Sequence, residues 1–158
     1  MSALHVTNFI AAPSDIVFDL SRHILLQKKA MEMIGARQVR GVSSGLKSTD
    51  DTVMWSLSFF KNPVLFSLKL SECDINHHLK EEMKGGPLVS FTYDRYVKGI
   101  KNGTLVIDEI RYELPDKWWA KAMDKFIVKK KIQELLKARN IIMKEYAESN
   151  KWRALLTK

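Results

Sequence analysis

Two ionisable residues stand where apolar ones are expected. Val89, Phe91, Tyr93, Arg95 and Val97 alternate onto one face of a predicted strand. An Asn102-Gly103 pair, a strong hairpin signal, follows. On the returning strand Val106, Asp108, Ile110, Tyr112 and Leu114 share a face, while Glu109, Arg111 and Glu113 point to solvent. Registers through Asn102-Gly103 place Arg95 opposite Asp108 or diagonal to it. An unpaired charge on an apolar face is costly, so the two are predicted to pair or to share a bound polar group. In one reading Arg95 and Asp108, with the hydroxyls of Tyr93 and Tyr112, anchor the oxygen atoms of a ligand in an apolar pocket. Arg95→Ala should then abolish ligand binding while the fold survives. In the other reading they form a structural ion pair.

The remaining polar constellations point away from familiar catalytic centres. His77 and His78 are adjacent, so on a strand their rings face apart. With Cys73 and Asp74 nearby they still do not supply the three or four convergent ligands of a zinc site, and a solvated loop is the expectation, with no metal. Glu81-Glu82 and Asp50-Asp51 are neighbouring carboxylates that face apart on a strand or are solvated in a turn, so no catalytic pair is expected there. His23 lies in a helical region without an evident acidic partner, and His5 opens the first strand. The sequence contains no nucleophile elbow, phosphate loop or dinucleotide fingerprint, and no cofactor is expected. An enzyme using the same pocket needs a general acid or base, for which Tyr93, Asp108 and Glu72 are the candidates.

The elements that must position these residues can be read from pattern. A first strand runs from Leu4 to Ala11. Ala12-Pro13-Ser14-Asp15 starts a short helix, and a second helical piece from about Ser21 to Ile34 stops at Gly35. Ser43-Ser44-Gly45 and Thr49-Asp50-Asp51 are turn clusters. Beyond Gly41 the pattern is β: Val53, Trp55, Leu57 and Phe59 share a face, Lys61-Asn62-Pro63 turns the chain, and Phe66, Leu68 and Leu70 return. The expected pairs are Phe59 with Phe66, Leu57 with Leu68 and Trp55 with Leu70. His77 to Met83 is a further candidate strand, and Gly85-Gly86-Pro87 breaks the chain. After Pro115 a long helix extends from Asp116 towards Glu148. Its seams Trp119-Met123-Phe126 and Ile132-Leu135-Leu136-Ile142-Met143 are out of phase, with the change near Ile127 to Lys131, which predicts a kink there or packing of the two seams against different partners. Trp55, Phe59, Phe66 and Phe91 form wall or core, and Met123, Phe126 and Ile127 form a lid.

Composition sets the frame. The chain has 158 residues, 46% hydrophobic and 28% charged, which is the range of a globular domain that needs no disulfide or metal staple. The single cysteine, Cys73, suits a reducing cytosol, and a cytoplasmic protein is expected. The formal net charge is +8. It is unevenly placed: residues 116–158 hold 12 Lys+Arg against 5 Asp+Glu, and residues 1–115 hold 14 against 13. The basic residues are not spread over a face with interleaved aromatics, so no nucleic acid is expected as a partner. The order of elements reads as α+β.

Several stretches together resemble the SRPBCC (START-like, birch-allergen-like) superfamily. They are Ala11 to Leu20, Gly41-Val42-Ser43-Ser44-Gly45, Gly86-Pro87-Leu88, Asp108 to Pro115, and Arg139. The branch resembled is the bacterial polyketide cyclase/dehydrase-like group, also called "cell division inhibitor" proteins. The resemblance runs from about Leu4 to Glu148. It implies a helix-grip fold, in which a curved seven-stranded antiparallel sheet wraps a long C-terminal helix around a hydrophobic pocket. Tyr93 and Arg95 stand where close relatives tend to carry two histidines, and Gln27 where they often carry another, so an activity that depends on those imidazoles is not implied here.

The expected organisation is one ligand-binding domain over residues 1–148 and a basic tail over 149–158. The leading expectation is a carrier for a small apolar ligand held by Arg95, Asp108, Tyr93, Tyr112, Trp55, Phe59, Phe66, Phe91, Met123 and Phe126. A cyclase or dehydratase in the same pocket is the alternative. Regulatory or nucleic-acid binding through the lysine-rich helix is a third reading. The tail from Lys151 to Lys158 is short, basic and apolar, and could make peripheral membrane contact.

Overall fold

The computed structural model describes residues 1–59, 62–116 and 124–156, apart from the side chains of residues 59, 62, 124 and 125. Strand β1 (Ser2–Ile10) leads into helices α1 (Ser14–Ser21) and α2 (Ile24–Met33). Six strands follow: β2 (Ala36–Gly41), β3 (Thr52–Phe59), β4 (Asn62–Asp74), β5 (His78–Gly85), β6 (Ser90–Ile100) and β7 (Gly103–Glu113). A π-helical turn (Asp124–Val128) then enters helix α3 (Lys129–Ala147), and a 3-10 turn (Lys151–Ala154) ends the described chain. All seven strands form one antiparallel sheet in the order β1-β7-β6-β5-β4-β3-β2, open at β1 and β2. This is the expected α+β helix-grip arrangement.

Local chemistry explains the boundaries. Pro13 precedes the first turn of α1, where its missing N–H costs nothing. The His23 ring caps α2, its Nδ1 accepting from the Leu25 N–H at 3.2 Å. Gly35 ends that helix with φ +85°, a conformation that favours glycine. On α3, Ile132, Leu135, Leu136, Arg139, Met143 and Ala147 are buried at helical spacing. The π turn lies just before this seam, overlapping the region where the sequence pattern changes phase, and π turns reset helical phase. Trp119 and Met123 of the other seam lie outside the described residues.

Two strand expectations need correction. The β3–β4 hairpin pairs Trp55 with Phe66, Leu57 with Val64 and Phe59 with Asn62, four residues from the expected register. The face assignment survives because four is even. The expected register left a long loop around Pro63, whereas the strands are joined through residues 60–61 alone. Pro63 pairs with Ser58 near the end of the hairpin, and β5 reaches only as far as Ser67 on the other side of β4, so this part of the strand is an edge where proline is tolerated. The second correction is β2, which the sequence reading did not place. Its Arg37, Gln38 and Arg40 give it the polarity of an edge strand.

The interior has two apolar clusters. One gathers Ile24, Met31, Trp55, Leu68, Phe91, Ile110, Tyr112 and Leu135 between sheet and α3. The other gathers Ile10, Val17, Phe18, Leu70, Leu79, Val97 and Met143 at the α1 end. Leu156 is buried in the second cluster, with Trp152 and Leu155 packed against it. The apolar residues of the tail are thus turned towards the body. Among the described residues, no helix is long and apolar enough to cross a membrane.

Candidate functional site

The inner sheet face and α3 bound a half-open cavity of about 250 Å³. Alternation brings Leu57 of β3, Phe66 and Leu68 of β4, Met83 of β5 and Phe91 of β6 to its wall, and Leu114 follows β7. Ile132 and Leu135 line it from α3, and Ile34 and Val128 also contribute to its lining. The lining is apolar with one exception among the described residues: Lys131, which heads the buried seam of α3. Its Nζ donates to the Ile34 carbonyl at 3.2 Å and lies 3.4 Å from Glu134 Oε2.

Two residues further along the same strands the chemistry changes. Tyr93 follows Phe91, Glu81 precedes Met83, and Arg139 lies one helical turn beyond Leu135. Tyr93 and Glu81 are directly paired across β5 and β6, and the Arg139 guanidinium lies 4.4 Å from the centre of the Tyr93 ring. Glu81 is the hub of this layer. Its Oε1 accepts from Arg139 Nη2 at 3.0 Å, and its Oε2 accepts from Lys47 Nζ at 3.2 Å and Gln27 Nε2 at 2.9 Å. Burial pushes the Glu81 pKa upward, but Lys47 and Arg139 outweigh it and hold the carboxyl down to about 2. Burial pulls Lys47 below its ordinary range.

Arg95 and Asp108 come next. They are directly opposed across β6 and β7 and almost fully buried, at 1% and 0% exposure. The guanidinium is bidentate: Nε donates to Oδ1 at 2.7 Å and Nη2 to Oδ2 at 2.9 Å. The Tyr93 hydroxyl donates to Oδ1 at 2.7 Å and Asn140 Nδ2 to Oδ2 at 3.2 Å. Arg95 also donates to Ser21 Oγ at 3.1 Å and to Asn140 Oδ1 at 3.0 Å. Burial alone would raise the Asp108 pKa; the Arg95 charge reverses that and holds it below the ordinary carboxylate range. Burial and the neighbouring Asp108 carboxylate raise the Tyr93 hydroxyl, against the pull of Arg139 and Arg95, so it stays protonated as a donor. Arg95, Arg139 and Lys47 set three buried cations against the two anions Asp108 and Glu81.

The expected ligand residues therefore divide. Phe66 and Phe91 line the cavity. Arg95, Asp108 and Tyr93 form the polar layer beneath it, and Tyr112 and Trp55 are buried in the adjoining core. The Trp55 indole N–H has no hydrogen-bond partner among the described residues. Phe126 sits on the π turn with 68% of its surface exposed. Met123 and the Phe59 side chain lie outside the described residues. The sequence reading missed the role of Glu81, considered only as half of a carboxylate pair that faces apart on a strand or is solvated in a turn, although Leu79, Glu81 and Met83 alternate inward and carry the signal. It also missed Lys47, Leu114, Lys131 and Met83. His78 is no simple loop residue either: it opens β5 on the outer face, 2.7 Å from Asp94 Oδ1 and stacked on Tyr96.

No protein-family model matches this sequence, and no curated protein matches it. Solved structures do match its shape. The protein TTHA0849 from Thermus thermophilus is similar over 99% of this chain and 100% of its own, at 15% identity and a TM-score of 0.73. The major latex-like protein 151 of Panax ginseng is similar over 92% and 97%, at 12% identity and a TM-score of 0.68. Norcoclaurine synthase from Thalictrum flavum, solved with dopamine and hydroxybenzaldehyde, is similar over 92% and 87%, at 13% identity and a TM-score of 0.67. At these identities the likeness is one of fold, and that fold is the one the SRPBCC resemblance implies.

Proposed function

From a helix-grip fold that forms a half-open apolar cavity over a polar floor, we propose that this chain binds and carries a small hydrophobic molecule between α3 and the inner sheet face. The observation that carries the reading is the cavity itself: about 250 Å³ of space walled by Leu57, Phe66, Leu68, Met83, Phe91 and Leu135. Such space leaves dispersion contacts unmade until an apolar guest supplies them. The volume falls just below the ~300–1,000 Å³ of drug-sized sites, so a short chain or a single ring is the appropriate scale. A neighbour of the same fold solved with two small aromatic molecules supports the reading.

The polar floor gives this cavity a rigid end. Arg95, Asp108, Tyr93, Glu81 and Arg139 bond chiefly to one another, and such satisfied networks fix one packing arrangement. Their part in the proposal is to hold Phe91, Met83 and Leu135 in place above them and to bound the depth a guest can reach.

Native mass spectrometry of the protein isolated from its own cells tests this. The wild type should carry a one-to-one mass excess from a small molecule, and Leu135→Trp, which fills the cavity from α3, should not. A wild type without any such excess, or a variant that keeps it, contradicts the proposal.

A further inference from the structure

We infer that the guest of this cavity carries an acidic head: a monocarboxylate on an apolar body, with its carboxylate at Lys131. The inference rests on the proposed use of the cavity and adds the chemical class. Lys131 is the one charged residue lining the cavity among the described residues. It lines the cavity together with Val128 and Ile34, and its side chain keeps 28% of its surface exposed. An ammonium has three donors. One is used on the Ile34 carbonyl at 3.2 Å, and Glu134 Oε2 at 3.4 Å can take a second. Among the described residues no further acceptor faces this ammonium, which leaves the third donor for a carboxylate seated at the mouth.

The charge around the cavity favours an anion at either end. Lys129 and Lys130 are exposed on the same turn of α3 as Lys131. In the polar layer below the apolar walls, Arg95, Arg139 and Lys47 stand against Asp108 and Glu81, while the other buried carboxylates, Asp19 and Asp94, pair elsewhere with Arg22 and His78. The field inside is therefore biased positive, which disfavours an amine-headed guest. The mouth is the better seat for the head than the floor. Each floor cation already faces a carboxylate, and a further buried anion would lose its hydration. At Lys131 a carboxylate keeps part of its water while its chain takes the apolar walls.

Isothermal titration with octanoate, 1-octanol and octylammonium at low ionic strength tests the class. The wild type should bind octanoate about five- to ten-fold more tightly than 1-octanol, as a partly exposed charge pair allows. It should bind octylammonium more weakly than either. Rising salt should shrink the octanoate preference. Lys131→Met should bring the octanoate to octanol ratio close to one and leave octanol affinity within about two-fold, while Lys137→Met should keep the preference. Equal or tighter binding of octanol by the wild type overturns the acidic head and leaves the cavity reading standing, as does a Lys131→Met variant that keeps the preference. Absence of saturable binding by octanol and octanoate alike overturns both readings.

Discussion

Glu81→Gln removes the charge that two buried cations share. In the wild type its carboxylate accepts from Arg139, Lys47 and Gln27 at 3.0, 3.2 and 2.9 Å. A glutamine there presents an NH₂ group to at least one of these donors and leaves Lys47 and Arg139 without a counter-charge. Breaking a buried ion pair from one side costs ~3–5 kcal/mol. Against a total stability of about 5–15 kcal/mol, that is a large share. The melting temperature of a chain this long should fall by roughly 6–20 °C. The pH dependence follows from the same geometry. The Glu81 carboxyl is held from an ordinary 4.5 to about 2. This depressed pKa contributes stability that is fully present well above pH 4.5 and is lost as pH falls towards 2, because the unfolded carboxyl takes its proton first. The full shift corresponds to ~3 kcal/mol, of which about 2 kcal/mol is lost between pH 7 and pH 3. Urea denaturation followed by circular dichroism at both pH values checks it: the gap between wild type and Glu81→Gln should narrow by about 2 kcal/mol at pH 3. Adding Lys47→Met to Glu81→Gln should cost less than the two single changes together, by ~1–3 kcal/mol. A Glu81→Gln variant that loses under ~1 kcal/mol at pH 7, with an unchanged denaturant slope, refutes the argument: the cluster would then be hydrated.

Other consequences follow from the same packing. Arg95→Ala leaves Asp108 buried with only Tyr93 and Asn140 as donors, so the sequence-based expectation of an intact fold is revised to a loss of ~3–5 kcal/mol. The 1-octanol affinity of the surviving folded protein should change less than about two-fold, since Arg95 lies beneath the cavity; a ten-fold loss at unchanged stability would restore it as a ligand anchor. Deleting residues 149–158 withdraws Leu156 from its core cluster and should cost ~1.5–3 kcal/mol by urea denaturation. Co-sedimentation of the same pair of proteins with phosphatidylserine vesicles tests peripheral contact: salt-sensitive binding that is lost on truncation supports it, and equal recovery ends it.

What the sequence made legible was local pattern joined to hairpin register. Arg95 and Asp108 could be set opposite each other because two alternating strands meet at Asn102-Gly103. Gly103 is also where the turn packs on β1, since any Cβ there would lie 2.4 Å from the Ile10 carbonyl. Phe66 and Phe91 could be placed on the inner face by alternation alone. The partners of Glu81 were hidden for the opposite reason. Lys47 comes from a loop, Gln27 from α2 and Arg139 from α3, and no periodicity links those positions. β2 was hidden by its polarity, and the β3–β4 register slipped because the apolar pattern is the same after a shift of four. Lys131 sits in the run Lys129-Lys130-Lys131, a pattern whose default is a solvated helix face; its place in the cavity lining depends on the phase change that the π turn introduces before α3.

The central claim is that the space between α3 and the inner sheet face takes an apolar guest, and methyl NMR during a titration with 1-octanol tests it most directly. Burial of an eight-carbon chain at ~0.8 kcal/mol per methylene contributes about 6 kcal/mol before the cost of association is subtracted, so the dissociation constant should be no tighter than ~0.05 mM and fall in the millimolar range. The account predicts saturable one-to-one binding, with shifts concentrated at the methyls of Leu57, Leu68, Leu114, Ile132 and Leu135. It is contradicted if no saturable shift appears. Shifts concentrated instead at Val6, Ile10 and Ile141, which line the separate groove between β1 and α3, contradict it equally.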